Sequence, residues 1–328
     1  MTIDNKLPYT VAFADELHAD GIALARRLFQ RVLLHTDPDY RDWIEEADGI
    51  CNRAKVIPTA DLKASKRLRV LSKQGVGVDT VDLKACREKG ITVCNTPGIN
   101  AEAVAELSLG LALSLSRRIS ELDRRARAGE VNVATTVMGH SLFGKTIGIV
   151  GMGNIGRQTA EKFKNACSCS VIAYDPYAPQ EAWTASGKGG ALPHTRVNTI
   201  EEMLGEVDIL SLHLPLTPST KGLVGRAMFD KMKKGAILLN ASRGGIVDEQ
   251  ALYEALKSRT IYGAALDALE TEPPTKEAYG TNLYTLPNVL ITPHIGAATH
   301  EIQALSARVV VEQLSLLLTG QTIDNIVP

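Results

Sequence analysis

The chain reads as an α/β protein built on parallel sheets, and three observations predict this. Short β-branched and aliphatic runs alternate with helical patterns over most of its 328 residues. These runs form two series, separated by the turn cluster Asn95-Thr96-Pro97-Gly98. The length also calls for about two domains, because single hydrophobic cores rarely grow beyond roughly 250–300 residues.

In the first series the strand candidates are Thr10–Phe13, Gly49–Cys51, Arg69–Leu71 and Ile91–Cys94. Helical stretches such as Gly21–Phe29 and Val81–Lys89 separate them. An apolar helix from about Ala101 follows the turn cluster, and the chain is expected to cross into a second domain there. The second series comprises Thr146–Val150, Val171–Tyr174, Ile209–Leu212, Ala236–Asn240, Gly263–Ala265 and Val289–Ile291. A second crossing is expected near Gly296–Thr299, after which a last helix, about His300–Leu318, returns to pack on the first domain. The expected division is therefore 1–100 plus 299–328, with 101–298 inserted between. Pro179–Asn198, containing Ser186-Gly187-Lys188-Gly189-Gly190, reads as a flexible surface loop. Its Gly-Lys pair lacks the spacing and the following Ser/Thr of a phosphate-binding P-loop.

Composition narrows the partners. Lys+Arg 36 against Asp+Glu 37 leaves a formal charge of −1, so no basic excess points to nucleic acid or an anionic membrane. The apolar runs Ala103–Ser116 and Val309–Leu318 are too short to span a bilayer, and the segment MTIDNKLPYT lacks the pattern of a secretory signal. A soluble, cytoplasmic protein is expected. The five cysteines are Cys51, Cys86, Cys94, Cys167 and Cys169. Odd in number and scattered, they read as reduced thiols, and their spacing fits neither a disulfide framework nor a zinc site. No metal is expected.

One motif carries a cofactor. The strand Thr146–Val150 runs directly into Gly151-Met-Gly153-Asn-Ile-Gly156, a helical segment Arg157–Asn165 follows, and the next strand ends in Asp175, 19 residues beyond Gly156. A glycine-rich turn between strand and helix lets backbone approach a pyrophosphate, which N–H groups at the helix start, including those of Asn154 and Ile155, would bind. Asp175 can accept hydrogen bonds from ribose hydroxyls, and its charge would repel a 2′-phosphate. The following Pro176-Tyr177-Ala178 has no cation to reverse that preference, so NAD is favoured over NADP.

Hydride transfer to a carbonyl from such a cofactor requires a cation to hold and polarise the acceptor, a proton donor, and a group that tunes the donor. Each has one candidate near the end of a strand candidate in the second series: Arg243, His294 and Glu272. Arg243 offers a fork of donors to planar oxygens. Glu272 beside His294 would favour the imidazolium and keep its proton available near neutrality. Taken singly, Arg243 also reads as a surface ion-pair partner, Glu272 as a loop cap before Pro273, and His294 as a partly buried histidine.

Together these segments resemble the D-isomer-specific 2-hydroxyacid dehydrogenase family, most closely its phosphoglycerate dehydrogenase-like members. The resemblance covers nearly the whole chain. It includes Gly75-Val-Gly-Val-Asp79, Asn95-Thr-Pro-Gly98, Gly144 to Gly156, His213-Leu-Pro-Leu-Thr217, Asn240-Ala-Ser-Arg-Gly244, Leu266-Asp267 before Glu272-Pro273, and Pro293-His-Ile-Gly296. It implies two Rossmann-like domains, the nucleotide domain inserted into a discontinuous, flavodoxin-like substrate domain. It also implies that Arg243 binds substrate, that Glu272 supports the histidine, and that His294 is the acid/base. Backbone near Val76 and Gly77 would hold the substrate carboxylate, with Asn100 nearby. Asp267 would accept from the nicotinamide carboxamide, and His213, Pro215 and Ala241 would line the cofactor. Arg53 stands where phosphoglycerate-type enzymes carry a substrate-facing arginine, and could bind a phosphate or second carboxylate. A homodimer through the Ala103–Ser116 region is expected on the same ground. Two departures stand out: Asn165–Ser170 lacks the usual glycine-containing link, and the Pro179–Asn198 loop is longer than in compact members. The alternative function on the same fold is an NAD(H)-sensing corepressor-like interaction protein.

Overall fold

The computed structural model describes residues 6–187, 189–280 and 282–328. The chain divides into two compact units, one formed by Met1–Asn100 with Thr299–Pro328, the other by Ala101–Ala298.

The first unit holds five parallel strands: β1 (Leu7–Phe13), β2 (Phe29–Leu34), β3 (Gly49–Asn52), β4 (Val70–Lys73) and β5 (Thr92–Cys94). Their order, β2-β1-β3-β4-β5, is that of flavodoxin-like sheets. Ala12, Ile50, Leu71 and Val93 enter one core cluster. Val11, Phe13, Cys51, Val70 and Cys94 enter the other, where the helix His300–Leu318 packs Ala307, Val310, Val311 and Leu314 against them. The helix Ala19–Leu28 approaches that last helix so closely that a Cβ on Gly21 would lie 2.7 Å from the Ala307 carbonyl oxygen. Strand β2 was not expected. The preceding helix passes straight into extended backbone at Phe29 (φ −111, ψ 152), so no glycine or proline marks the boundary.

The second unit holds seven parallel strands. These are β6 (Thr146–Val150), β7 (Ser170–Tyr174), β8 (Thr195–Arg196), β9 (Ile209–Leu212), β10 (Ile237–Asn240), β11 (Gly263–Leu266) and β12 (Val289–Ile291). The order is β12-β11-β10-β9-β6-β7-β8, the doubly wound arrangement of dinucleotide-binding sheets. It reverses between β6 and β9, and ligands of such sheets bind beyond the carboxyl ends of the strands at this switch. Both faces are covered. Leu210, Leu238, Met203 and Phe229 pack on one side, and Ile147, Ile149, Leu239 and Phe163 on the other. That is why the strands read as unbroken apolar runs.

The segment 179–198 departs from the flexible loop expected. Trp183 and Leu192 are buried in the second unit's core, and β8 pairs with Ile172 and Ala173 of β7. The Ser186–Gly190 run and the prolines at either side draw the reading toward a loop and mask two apolar anchors that only the fold reveals. Lys188 lies outside the described residues. The five cysteines are free and buried. Among the described residues no helix is long and apolar enough to cross a membrane.

Candidate active site

The glycine turn follows β6. Gly151 has φ +104, and a Cβ there would sit 2.3 Å from the His213 carbonyl oxygen. A Cβ on Gly156 would sit 2.0 Å from the Gly151 carbonyl oxygen, whereas one on Gly153 would meet nothing within 4 Å. Gly151 and Gly156 thus serve internal packing, and the Gly153 position is open to a ligand. The helix runs Asn154–Cys167, longer at both ends than expected, and no side chain caps its start at Gly153. The N–H groups of Asn154, Ile155 and Gly156 belong to its first turn, which has no intrahelical acceptors to offer them.

Asp175 lies just past β7. Its Oδ2 accepts from the Met152 N–H at 2.8 Å, and its Oδ1 from Tyr177 and Ala178 at 2.9 and 3.2 Å. About three of a carboxylate's roughly four lone-pair sites are therefore used to shape the turn, leaving about one for a ribose hydroxyl. His213, after β9, sets its Nε2 2.9 Å from Ser211 Oγ. Burial pushes its pKa down to about 3, so the ring is neutral. Its buried Nδ1 meets no partner among the described residues. Pro215 is exposed and Ala241 half-buried. An open glycine, an uncapped helix start, a fixed carboxylate and an orphaned imidazole nitrogen fit a dinucleotide.

The candidate reactive groups stand past β10, β11 and β12. Asn240 closes β10 and folds the turn that presents Arg243. Its Nδ2 donates to the Arg243 carbonyl at 2.9 Å, and its Oδ1 accepts from Ser242 Oγ at 2.7 Å. Gly244 then passes so near the next loop that a Cβ would lie 1.9 Å from the Leu269 carbonyl oxygen. Gly244→Ala is expected to cost about 1–3 kcal/mol of stability, read as a lower urea midpoint with unchanged slope, because backbone must give way on both sides. An unchanged midpoint would show that this contact does not hold the turn.

Glu272 sits in the loop after β11. That loop is fixed by the Glu270 N–H donating to Glu249 Oε1 (2.7 Å) and the Thr271 N–H donating to Tyr279 Oη (2.8 Å). The Glu272 carboxylate meets His294 Nδ1 at 2.9 Å (Oε2) and 3.1 Å (Oε1), and also accepts from the Leu269 N–H at 3.1 Å. The hydrogen bond from Glu272 raises the His294 pKa above its ordinary 6.5, outweighing burial and the opposing charge of Arg243. Burial pushes Glu272 upward, but its hydrogen bond and attraction to His294, the Leu269 N–H and Arg243 together bring it below the ordinary 4.5. His294 Nε2 meets no partner among the described residues.

His294 lies in the left-handed region at φ +55, unusual for a non-glycine residue and costing of order 1–3 kcal/mol. Asp267 holds it there. Its Oδ1 accepts from Thr292 Oγ1 (2.6 Å) and the Ile295 N–H (2.8 Å), and its Oδ2 from the Gly296 N–H (2.8 Å). The role expected of Asp267, accepting from a carboxamide, is thus joined by a second: it orders the loop that carries the histidine.

In the first unit, Arg53 has an exposed side chain on a fixed backbone. Asp15 accepts from the N–H groups of Arg53, Ala54 and Lys55, and the buried Lys73 ammonium donates to the Arg53 carbonyl. The Val76 and Gly77 N–H groups meet no acceptor among the described residues. Gly75 before them has φ +100, and Asn95 Nδ2 donates to the Val76 carbonyl at 2.8 Å. Asn100 Oδ1 is buried and has no partner among the described residues. Asp15, Lys73, Asn240, Thr292 and Tyr279 were not singled out from sequence. Four of them hold backbone groups and Thr292 bonds the Asp267 carboxylate, and no residue pattern announces that.

This fold and site define a dinucleotide-binding α/β protein that carries a carboxylate–imidazole pair beyond the ends of its strands. The comparisons make the class specific. Residues 109–296 match the family model described as the D-isomer specific 2-hydroxyacid dehydrogenase, NAD binding domain. The chain is 38% identical over 320 residues to D-3-phosphoglycerate dehydrogenase of Methanocaldococcus jannaschii, covering 97% of this chain and 59% of that protein. It is 41% identical over 261 residues to hydroxypyruvate reductase of Thermotoga maritima, covering 79% and 81%. The solved structure of the TT0316 protein from Thermus thermophilus matches with a TM-score of 0.85 at 36% identity, over 97% of this chain and 100% of that one. The chain belongs to the D-isomer specific 2-hydroxyacid dehydrogenase family, whose matched domain is the NAD binding one, and NAD is its cofactor. It spans about six-tenths of the archaeal phosphoglycerate dehydrogenase it matches.

Proposed function

We propose that this protein transfers a hydride between NAD(H) and a small D-2-hydroxy acid or its 2-oxo acid, of the phosphoglycerate or hydroxypyruvate/glyoxylate type. The observation that carries the reading is the Glu272–His294 pair. It holds a proton donor at raised pKa with Nε2 turned away from its partner, and the charge of Arg243 acts on both groups. Bound NADH supplies the hydride to C2. Arg243 grips the carboxylate and polarises the carbonyl. His294 Nε2 delivers its proton to the developing alkoxide, while Glu272 stabilises the imidazolium. In the direction of oxidation, neutral His294 takes that proton back. Within the first unit taken by itself, the Val76 and Gly77 N–H groups, which meet no acceptor among the described residues, suit an anionic oxygen. Named relatives are dehydrogenases and reductases, which favours this reading over an NAD-sensing interaction protein.

Arg53 divides the substrates. NADH oxidation against a panel of 2-oxo acids, repeated with Arg53→Ala, tests it. Phosphorylated or dicarboxylic substrates should lose about ten-fold or more in kcat/KM, the worth of one charge-assisted contact, and glyoxylate should change little. Equal losses on all substrates would remove Arg53 from this role.

The homodimer and the cytoplasmic location belong to the same proposal. The helix Ala101–Ser116 buries Leu111, Ala112 and Leu115 in its own unit's core, so it cannot offer those residues to a partner. The exposed Ile119, Val131, Val133, Met138 and Phe143 beyond it are the better surface for a second copy. A monomer at equilibrium sedimentation would remove that part.

A further inference from the structure

The peptide of Met152, inside the glycine turn, is held from both sides. Its N–H donates to Asp175 Oδ2 at 2.8 Å, and its carbonyl accepts from the Trp183 indole Nε1 at 3.1 Å. Trp183 is 4% exposed and lies in the left-handed region at φ +64. That conformation is unfavourable for a bulky residue and persists where surroundings over-determine it. Here the surroundings are the Leu192 N–H donating to the Trp183 carbonyl (2.8 Å) and the His194 ring edge-on at 5.4 Å.

Two further anchors tie the same segment to the cofactor-binding turn. Arg157, in the helix that starts the pyrophosphate site, donates to the carbonyls of Gly189 (2.8 Å) and Gly190 (3.1 Å). Glu161 holds its guanidinium at 2.9 Å. Arg196 of β8 donates to the carbonyls of Asp175 (2.9 Å), Ala178 (2.7 Å) and Pro179 (2.7 Å). The segment therefore grips Met152, the cofactor helix and the Asp175 backbone at once. These are the parts that would face the pyrophosphate and the adenosine ribose.

We infer that Trp183, Arg157 and Arg196 are positioning residues that set affinity for the ADP-ribose half of the cofactor, by holding the glycine turn and Asp175 in binding geometry before the cofactor arrives. Ordering a loop on binding costs affinity, and ordering it beforehand removes that cost. The inference rests on NAD as cofactor and is independent of the substrate proposed above.

Calorimetric titration of wild-type protein and Trp183→Phe with NADH and with ADP-ribose tests it. Phenylalanine keeps an aromatic ring in place and removes the indole N–H. Both dissociation constants should rise by about five- to ten-fold, the factor expected from one lost hydrogen bond. The turnover number at saturating NADH should stay as in the wild type. Unchanged dissociation constants overturn the inference, including when the thermal midpoint falls, since that pattern marks a purely structural role. Should Trp183→Phe not fold, Arg157→Lys, which keeps the charge and loses the fork, takes its place under the same two outcomes. Failure of the wild type to bind either ligand would instead overturn the assignment of NAD.

Discussion

A His294→Gln variant is expected to bind NADH as the parent does and to turn over about two to four orders of magnitude more slowly, the usual contribution of a positioned acid or base. Glutamine can still hydrogen-bond Glu272 but cannot surrender a proton at neutral pH. The pH profile carries the same claim. Reduction needs the imidazolium, and the Glu272 hydrogen bond raises the His294 pKa above 6.5. The rate of reduction should therefore be level through the ordinary histidine range and fall as pH rises through the raised value. Oxidation needs neutral imidazole and should rise over that interval. Glu272→Gln removes the main raising influence and leaves burial and Arg243 acting downward against the smaller opposing charge of Asp267, so the fall in reduction should move to lower pH. Steady-state rates in both directions check all three. Near-normal turnover of His294→Gln would sink the assignment.

Arg243→Ala should lower kcat/KM by about one and a half to three and a half orders of magnitude while leaving the NADH dissociation constant near its parent value. Removing one member of a desolvated charge pair costs about 2–5 kcal/mol, and the guanidinium is assigned both the carboxylate and the polarised carbonyl. Arg243→Lys should recover only part of the loss, because a single ammonium cannot supply the planar fork. A second effect separates this role from simple misfolding. The charge of Arg243 lowers the His294 pKa, so its removal should push the fall in reduction to higher pH. A drop of less than ten-fold, with no shift in the profile, would place Arg243 outside the site.

The parts legible in the sequence are those whose physics is local. Thr146–Val150 is an apolar run ended by a glycine turn, and the structure gives it those bounds. The helix His300–Leu318 begins at Thr299, whose hydroxyl accepts from the Ile302 N–H at 3.3 Å, and its apolar face packs in the first unit's core. Other features depend on distant residues. Strand β2 exists because Val11 and Ala12 offer it an edge, while its own sequence continues the preceding helix without punctuation. Trp183 is an anchor only because the carbonyl of Met152, 31 residues away, points at it. Asp267 reads as a cofactor ligand in the motif, yet its oxygens are largely taken by a loop 25–29 residues onward. The tilt of His294 into the left-handed region leaves no mark in a Pro-His-Ile sequence at all.

Hydride transfer to the second carbon of a 2-oxo acid is the central claim, and isotopic labelling tests it most directly. NADH carrying deuterium at C4 of the nicotinamide, incubated with the protein and glyoxylate or hydroxypyruvate, should yield the 2-hydroxy acid with deuterium at C2, and the hydroxypyruvate product should be the D-enantiomer. With His294→Gln the label should arrive at the same carbon far more slowly. NADH bound but unconsumed with every 2-oxo acid offered, or product formed without deuterium at C2, would contradict the account.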